Sequence, residues 1–145
     1  MEIKFYPVKN APADTILPSR GNYNDAGYDF YAPYNFEVKP GTRTEIIFLN
    51  VKIKMPRQYF LEIKNRSSVM NNGLVLECSG IIDAGYADNK NNDGNIGVAF
   101  RNVSNKTIIV KKGDKICQGI ILKYYITDDD TATSERVGGW GSTGK

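Results

Sequence analysis

Apolar residues in this chain recur at every second position, in runs too short for helices. The alternation is clear through Val51, Ile53 and Met55, and again through Tyr59, Leu61 and Ile63. A period of two sets one face of an extended strand against a core and the other against solvent, whereas a helix needs a period near 3.6. β-branched and aromatic residues are frequent between turn signals, and helical periodicity is scarce. Strands are expected over 44–55, 59–64, 73–78, 96–103, 107–110 and 116–126. Lys39-Pro40-Gly41-Thr42 reads as a turn, with Pro second and Gly third. Short strands at this spacing predict an all-β domain, a distorted jelly roll or β-sandwich. One short helix is expected at Ser67-Ser68-Val-Met-Asn-Asn-Gly73, with serine as N-cap and Gly73 just past the end. From Thr127 the chain turns polar, and residues 127–145 read as a flexible C-terminal arm on a β domain of residues 1–126.

The 145 residues suit a single domain. A globule of that length buries roughly 70% of its unfolded surface, enough for a core without staples. The net charge of +3 is spread along the chain, so no nucleic-acid partner is expected. No run of about 20 apolar residues is present to span a membrane. The start, Met-Glu-Ile-Lys-Phe-Tyr-Pro, lacks a signal-peptide core, and a cytoplasmic protein is expected. Cys78 and Cys117 then read as buried thiols in a reducing compartment. The chain has no histidine, which removes Ser-His-Asp and Cys-His triads and most zinc sites. Acid–base chemistry must come from carboxylates, Tyr, Lys or bound water.

Several short stretches carry chemistry. Asp25-Ala-Gly-Tyr-Asp29-Phe-Tyr-Ala32 sets two acids four apart, and by itself reads as a turn entering a strand. Arg66-Ser67-Ser68 opens the expected helix, where free N–H groups and an adjacent guanidinium suit phosphate. Its plain alternative is a capping serine beside a solvated arginine. Gly80-Ile-Ile-Asp83-Ala-Gly-Tyr86 puts an acid straight after an apolar pair, either a turn aspartate or a carboxylate held at a site wall. Lys112-Gly-Asp114-Lys-Ile-Cys-Gln118 reads as a turn and a strand with an embedded amide. The ending Gly139-Trp-Gly-Ser-Thr-Gly-Lys145 matches a phosphate loop but lacks the following Ser or Thr and the helix.

Taken together and in this order, these stretches resemble the trimeric dUTP pyrophosphatase (dUTPase) family. The matching motifs are Ala26–Ala32, Arg66-Ser-Ser68, Gly80–Tyr86, Gly113–Gln118 and Arg136 through Gly144. The resemblance implies a jelly-roll-like homotrimer that hydrolyses dUTP to dUMP and pyrophosphate with Mg²⁺. Its sites lie between subunits, and the arm of one subunit reaches over a site formed by the other two. It implies that Asp83 activates the attacking water at the α-phosphorus. Tyr86 would pack on the deoxyribose, and Gly80 and Ile82 would belong to the backbone that reads uracil. Arg66, Ser67, Ser68 and Gln118 would hold phosphates and water. Asp29 would hold the Mg²⁺ through its water shell. Arg136, Gly141, Ser142 and Thr143 would grip the outer phosphates, and Trp140 would cover the base. A phage or viral source fits the resemblance, in which case the protein works in the host cytoplasm. A regulatory protein partner is left open.

The chain departs from the family pattern in places. Glu77 stands where an Asn usually helps to read the base. Ala87-Asp-Asn-Lys-Asn-Asn-Asp93 is inserted before Gly94, and its polarity suggests a surface loop. The spacing from Arg136 to Trp140 is one residue short, and Trp replaces the usual Phe or His. The rival readings are a dCTP deaminase, whose catalytic Glu would fall at Ala99, and a non-catalytic jelly-roll regulatory protein.

Overall fold

The computed structural model describes residues 2–134 and 139–140. In chain order its strands are β1 (Lys4–Pro7), β2 (Tyr28–Tyr31), β3 (Phe36–Val38), β4 (Ile47–Phe48), β5 (Val51–Lys54) and β6 (Tyr59–Asn65). After helix α1 (Ser67–Asn71) come β7 (Leu74–Leu76), β8 (Ile81–Asp83), a 3₁₀ turn at Ala84–Asp88, β9 (Gly97–Val98), β10 (Phe100–Asn102), β11 (Ile108–Val110) and β12 (Lys115–Lys123). The largest sheet has the order β2-β12-β6-β8, and β1-β5, β4-β9, β7-β10 and β3-β11 form antiparallel pairs around it. The domain is all-β with one turn of helix, as the alternation predicts.

Two expected strands are each broken in two. Over 44–55 the break falls at Asn50, which adopts φ 63° and gives its N–H to the Asn95 Oδ1 at 2.8 Å. The kink lets the chain change partner, from β9 along β4 to β1 along β5. Over 96–103 the break falls at Ala99, between β9 on β4 and β10 on β7. Strands β1 and β3 were not expected from the pattern. They are too short to show an alternation, and they are held by their partners.

Val51 and Ile53 of β5 point inward while Lys52 and Lys54 face outward, and Leu61 and Ile63 of β6 do the same. With Phe30, Leu74, Ile96, Val98, Phe100 and Ile116 they form one continuous core. Truncating a fully buried ring such as Phe100 costs about 3–5 kcal/mol in transfer and cavity terms. Cys117 lies inside this core and its thiol pKa is pushed up, first by burial, so it is inert. Cys78 is half-buried, and both cysteines are free thiols. Asn102 is buried with its amide N–H groups on the carbonyls of Val38 and Lys106, tying β10 to β3.

Helix α1 starts one residue earlier than expected. Arg66, in extended backbone, takes the N-cap position, Ser67 is the first helical residue, and no side chain caps the turn. Gly73 follows the end with φ 99°, where a Cβ is disfavoured. Residues 127–134 are exposed and irregular. Among the described residues no helix is long and apolar enough to cross a membrane.

Candidate active site

Strand β6 organises the site because its two edges carry different chemistry. β12 pairs along one edge and brings Gln118 opposite Lys64. β8 pairs along the other and ends on Asp83, opposite Phe60. Each edge opens into a cleft.

The first cleft, of about 530 Å³, is lined by Gly80, Ile82, Asp83, Tyr86 and Trp140, together with Arg43 and Cys78. Asp83 is half-buried, with φ −74° and ψ 154°, at the point where extended β8 gives way to the 3₁₀ turn. That change of course puts the carboxylate at a strand end on the cleft wall. Three residues on, Tyr86 is buried. Gly80 has φ 74°, and a Cβ there would lie 2.9 Å from the Ile63 carbonyl oxygen. Its own carbonyl accepts the Ile63 N–H at 2.7 Å, which docks the segment on β6. β7 pairs with β10 and β8 with β6, so the chain between them crosses from one sheet to another.

The second cleft, of about 520 Å³, is lined by Asp29, Arg66, Ser67, Ser68 and Gln118, with Asp25 and Gly27. Asp29 is buried, and its carboxylate accepts from Arg66 Nε at 2.9 Å and pairs with Lys115 Nζ at 3.4 Å. Asp29 engages Nε of the guanidinium, and Nη1 donates to Ser68 Oγ at 3.3 Å. Ser67 and Ser68 are exposed beside it. The helix is a single turn, so its dipole adds little and the arginine supplies the positive charge. Gln118 gives its amide N–H to the Asn65 carbonyl at 2.9 Å, and its Oε1 approaches Gly27 so closely that a Cβ there would sit 2.1 Å away.

Among the described residues the two clefts have no lining residue in common. One chain therefore carries two separate sets of groups: a carboxylate beside an aromatic wall, and an arginine with two serine hydroxyls beside Asp25 and Asp29. Among the described residues, no three His, Cys, Asp or Glu side chains gather to ligate a metal. Asp29, already paired with two cations, suits hydrogen bonds from a hydrated ion better than direct ligation. Arg136, Gly141, Ser142 and Thr143 lie outside the described residues.

The structure accounts for Glu77. Its carboxylate accepts from Arg101 Nε at 2.8 Å, with Arg43 Nε at 3.8 Å, and so turns to an arginine pair. Arg43 itself lines the first cleft, a role with no signal in the sequence, since only the pairing of β10 brings it there. Ala99 is fully buried with its carbonyl on the Glu77 N–H, and offers no proton-carrying group where a deaminase would need one. The inserted segment is a surface loop, as its polarity suggests, but it is held in place. Asn89 is buried, and Asp93 accepts from Lys52 Nζ and from the Lys9 N–H, both at 2.7 Å. Tyr86 meets this segment through its hydroxyl, which accepts from Asn92 Nδ2 at 2.7 Å and donates to the Asn95 carbonyl just beyond it at 2.7 Å.

A carboxylate at the end of a β-strand thus stands beside an aromatic wall, and an arginine–serine pocket opens apart from it. The dUTPase family model matches residues 13–144, and the chain belongs to the dUTPase family of hydrolases. A deoxyuridine 5′-triphosphate nucleotidohydrolase of Lactococcus lactis subsp. lactis is 33% identical over 150 aligned positions, covering 99% of both chains. Among solved structures, a dUTPase from Streptococcus mutans is similar with TM-score 0.79 and 29% identity, over 86% of this chain and 98% of that one. A D95N mutant dUTPase from phage phi11 of S. aureus, with TM-score 0.74 and 21% identity over 92% of this chain and 98% of that one, shares the fold. That structure is described as showing the coordination of a structural Mg(II) ion.

Proposed function

We propose that the protein hydrolyses dUTP to dUMP and pyrophosphate. The observation that carries this reading is the placement of Asp83 and Tyr86 on one cleft wall, three residues apart, in a chain of this family. Asp83 takes a proton from a water whose oxygen attacks the α-phosphorus. The new P–O bond forms as the bond to the bridging oxygen of the β-phosphate breaks, and that oxygen leaves with pyrophosphate. An aspartate suffices as base because the surrounding charges stabilise the developing negative charge. The Tyr86 ring packs on the deoxyribose and leaves no room for a 2′-hydroxyl. The backbone around Gly80 and Ile82 reads uracil, and a close wall excludes the methyl of thymine.

Arg66, Ser67, Ser68 and Gln118 hold the phosphates, and Asp29 aims the Arg66 guanidinium. Mg²⁺, when bound to the triphosphate, supplies charge neutralisation, and Asp29 would hold it through water. The separation of the two half-sites supports a homotrimer in which the phosphate pocket of one subunit meets the Asp83 cleft of another. Residues 127–145 serve as an arm that covers the assembled site. In the single chain Trp140 packs beside its own Tyr86, whereas the family resemblance lends the arm to a neighbour.

The test is pyrophosphate release from dUTP, dTTP, dCTP and UTP with Mg²⁺, for which strong preference for dUTP is expected. Asp83→Asn keeps the shape and removes the base; it should retain dUTP binding and lose about 10²–10⁴ in kcat. Wild-type turnover in that variant would sink the role of Asp83, and ammonia release from dCTP would overturn the reaction.

A further inference from the structure

Arg43 and Arg101 face each other across an antiparallel bridge. Thr44 gives its N–H to the Phe100 carbonyl at 2.8 Å, and Asn102 gives its N–H to the Thr42 carbonyl at 3.0 Å. The two arginines are thus a pair that exchanges no backbone bonds, the kind whose side chains stand closest on one face. Like charges directly opposite repel. Among the described residues Glu77 is the one acid that pairs with either, from a diagonal position two residues past Val75, the partner of Arg101. It does not serve the two equally. Its carboxylate accepts from Arg101 Nε at 2.8 Å and Nη2 at 3.4 Å, and Arg101 Nη1 donates to the Gly41 carbonyl at 3.0 Å, so all three nitrogens of that guanidinium are engaged. Among the described residues Arg43 has only its Nε 3.8 Å from the same carboxylate and its Nη2 3.5 Å from the Glu77 carbonyl. The uncompensated charge of the trio, and most of its unused N–H groups, therefore sit on Arg43 in the wall of the Asp83 cleft. We propose that Arg43 is a specificity-determining residue that donates a hydrogen bond to the C4 carbonyl oxygen of the uracil base. This deepens the proposed hydrolysis of dUTP and rests on it for the identity of the ligand.

Its place along the cleft suits the base rather than the phosphate. Arg43 leans on the Glu77 carbonyl, at the start of the segment that runs through Gly80 to Asp83 and Tyr86. Under the proposed reaction the α-phosphorus lies at Asp83 and the sugar on Tyr86, at the far end of that segment, and the backbone at Gly80 and Ile82 faces the base. The C2 carbonyl of uracil lies next to the sugar. The C4 carbonyl points away from the sugar, toward the end that Arg43 occupies. A guanidinium has only donors, so it suits that oxygen and opposes the amino group that cytosine carries at the same position. Glu77 cannot take this part, because an ionised carboxylate only accepts and Arg101 already holds it. Arg101 acts as a positioning residue: by occupying Glu77 it keeps Arg43 from being drawn into a closed ion pair.

The experiment compares dUMP with dCMP, which share sugar and phosphate and differ only in the base. Their equilibrium binding to the full chain is measured by calorimetry, without turnover. Wild type should favour dUMP. Arg43 is exposed, so Arg43→Met should keep the fold and the melting temperature. It should weaken dUMP about ten- to hundredfold, the range for one hydrogen bond from a charged donor, and leave dCMP little changed. Arg43→Gln, a neutral donor of shorter reach, should lose in the same direction. In Arg101→Met the released Glu77 should hold Arg43, and the preference for dUMP should shrink although Arg101 does not line the cleft. A full preference for dUMP in Arg43→Met overturns the inference. Equal losses of dUMP and dCMP overturn it too, because they mark Arg43 as a phosphate ligand, and so does a wild type that binds the two alike. An unchanged preference in Arg101→Met overturns the positioning role. A protein whose choice of dUMP depends on Arg43 but which releases no pyrophosphate from dUTP refutes the proposed reaction and leaves the role of Arg43 standing. Hydrolysis of dUTP with its base preference intact in Arg43→Met does the reverse.

Discussion

Arg66 Nε donates to Asp29 Oδ1 at 2.9 Å, across a contact in which both side chains are mostly buried. They lie 37 positions apart and meet because β2 and β6 both pair with β12. Asp29→Asn should leave the guanidinium free to swing. A misplaced phosphate-binding group costs on the order of 10²-fold in rate. Steady-state kinetics should show kcat/KM for dUTP falling by about 10–100-fold, with the larger share in KM. Unchanged kinetics would show that Arg66 does not depend on Asp29.

Two glycines should separate stability from activity. Gly80 combines φ 74° with a carbonyl oxygen 2.9 Å from any added Cβ, so Gly80→Ala strains backbone against backbone. A loss of about 1–3 kcal/mol of stability is expected, read as a lower melting temperature. Gly27 has no such φ, and its nearest neighbour is the end of the Gln118 side chain. Gly27→Ala should leave the melting temperature within error and still reduce dUTP turnover, because the amide is displaced.

Acid should release the inserted segment. Hydrogen bonding from Lys52, helped by the Lys9 N–H, holds the Asp93 carboxyl below its ordinary pKa, although partial desolvation opposes the shift. A depressed folded value means that the stabilisation is complete above the unfolded pKa of about 3.9 and is lost as pH falls through the folded one. The protection of amides 89–95 relative to their intrinsic exchange rates should therefore be constant near neutrality and fall in acid. Asp93→Asn should show loosened exchange at every pH, without the acid step. Asp93 is partly exposed, so the step should shrink in high salt.

Mixing two inactive chains tests how the arm is shared. Asp83→Asn chains keep the arm, and chains lacking residues 136–145 keep Asp83. If a neighbour lends the arm, refolding the two together should restore a measurable fraction of wild-type turnover. If each arm serves its own cleft, as Trp140 does in the single chain, the mixture should stay inactive.

Much of the fold was legible because its cause is local. The alternation in Val51–Lys54 and Tyr59–Asn65 is the burial pattern itself, and Gly73 is where the helix stops. What was hidden depends on partners distant in sequence. The kink at Asn50 is fixed by Asn95, and nothing near Asn50 marks it as more than a polar residue in a strand. Ser67 looked like a cap because its type favours that place, but the chain entering from β6 puts Arg66 there. Asp83, Tyr86, Arg66 and Gln118 could be singled out from their motifs. Their division into two clefts, and the turn of Glu77 toward Arg101 and Arg43, come only from strand pairing. The inserted segment looked solvated because it is polar, yet its asparagines bond one another and Tyr86.

Among the described residues no lining residue is common to the two clefts, and if they are completed across subunits, dilution becomes a form of inhibition. Under the proposed assembly a lone chain owns every part of the machine and can run none of it. Output then follows the number of chains steeply at low abundance and in proportion once assembly is complete. A cell making the first few copies gains almost no activity, and crossing the association threshold turns on nearly all of it.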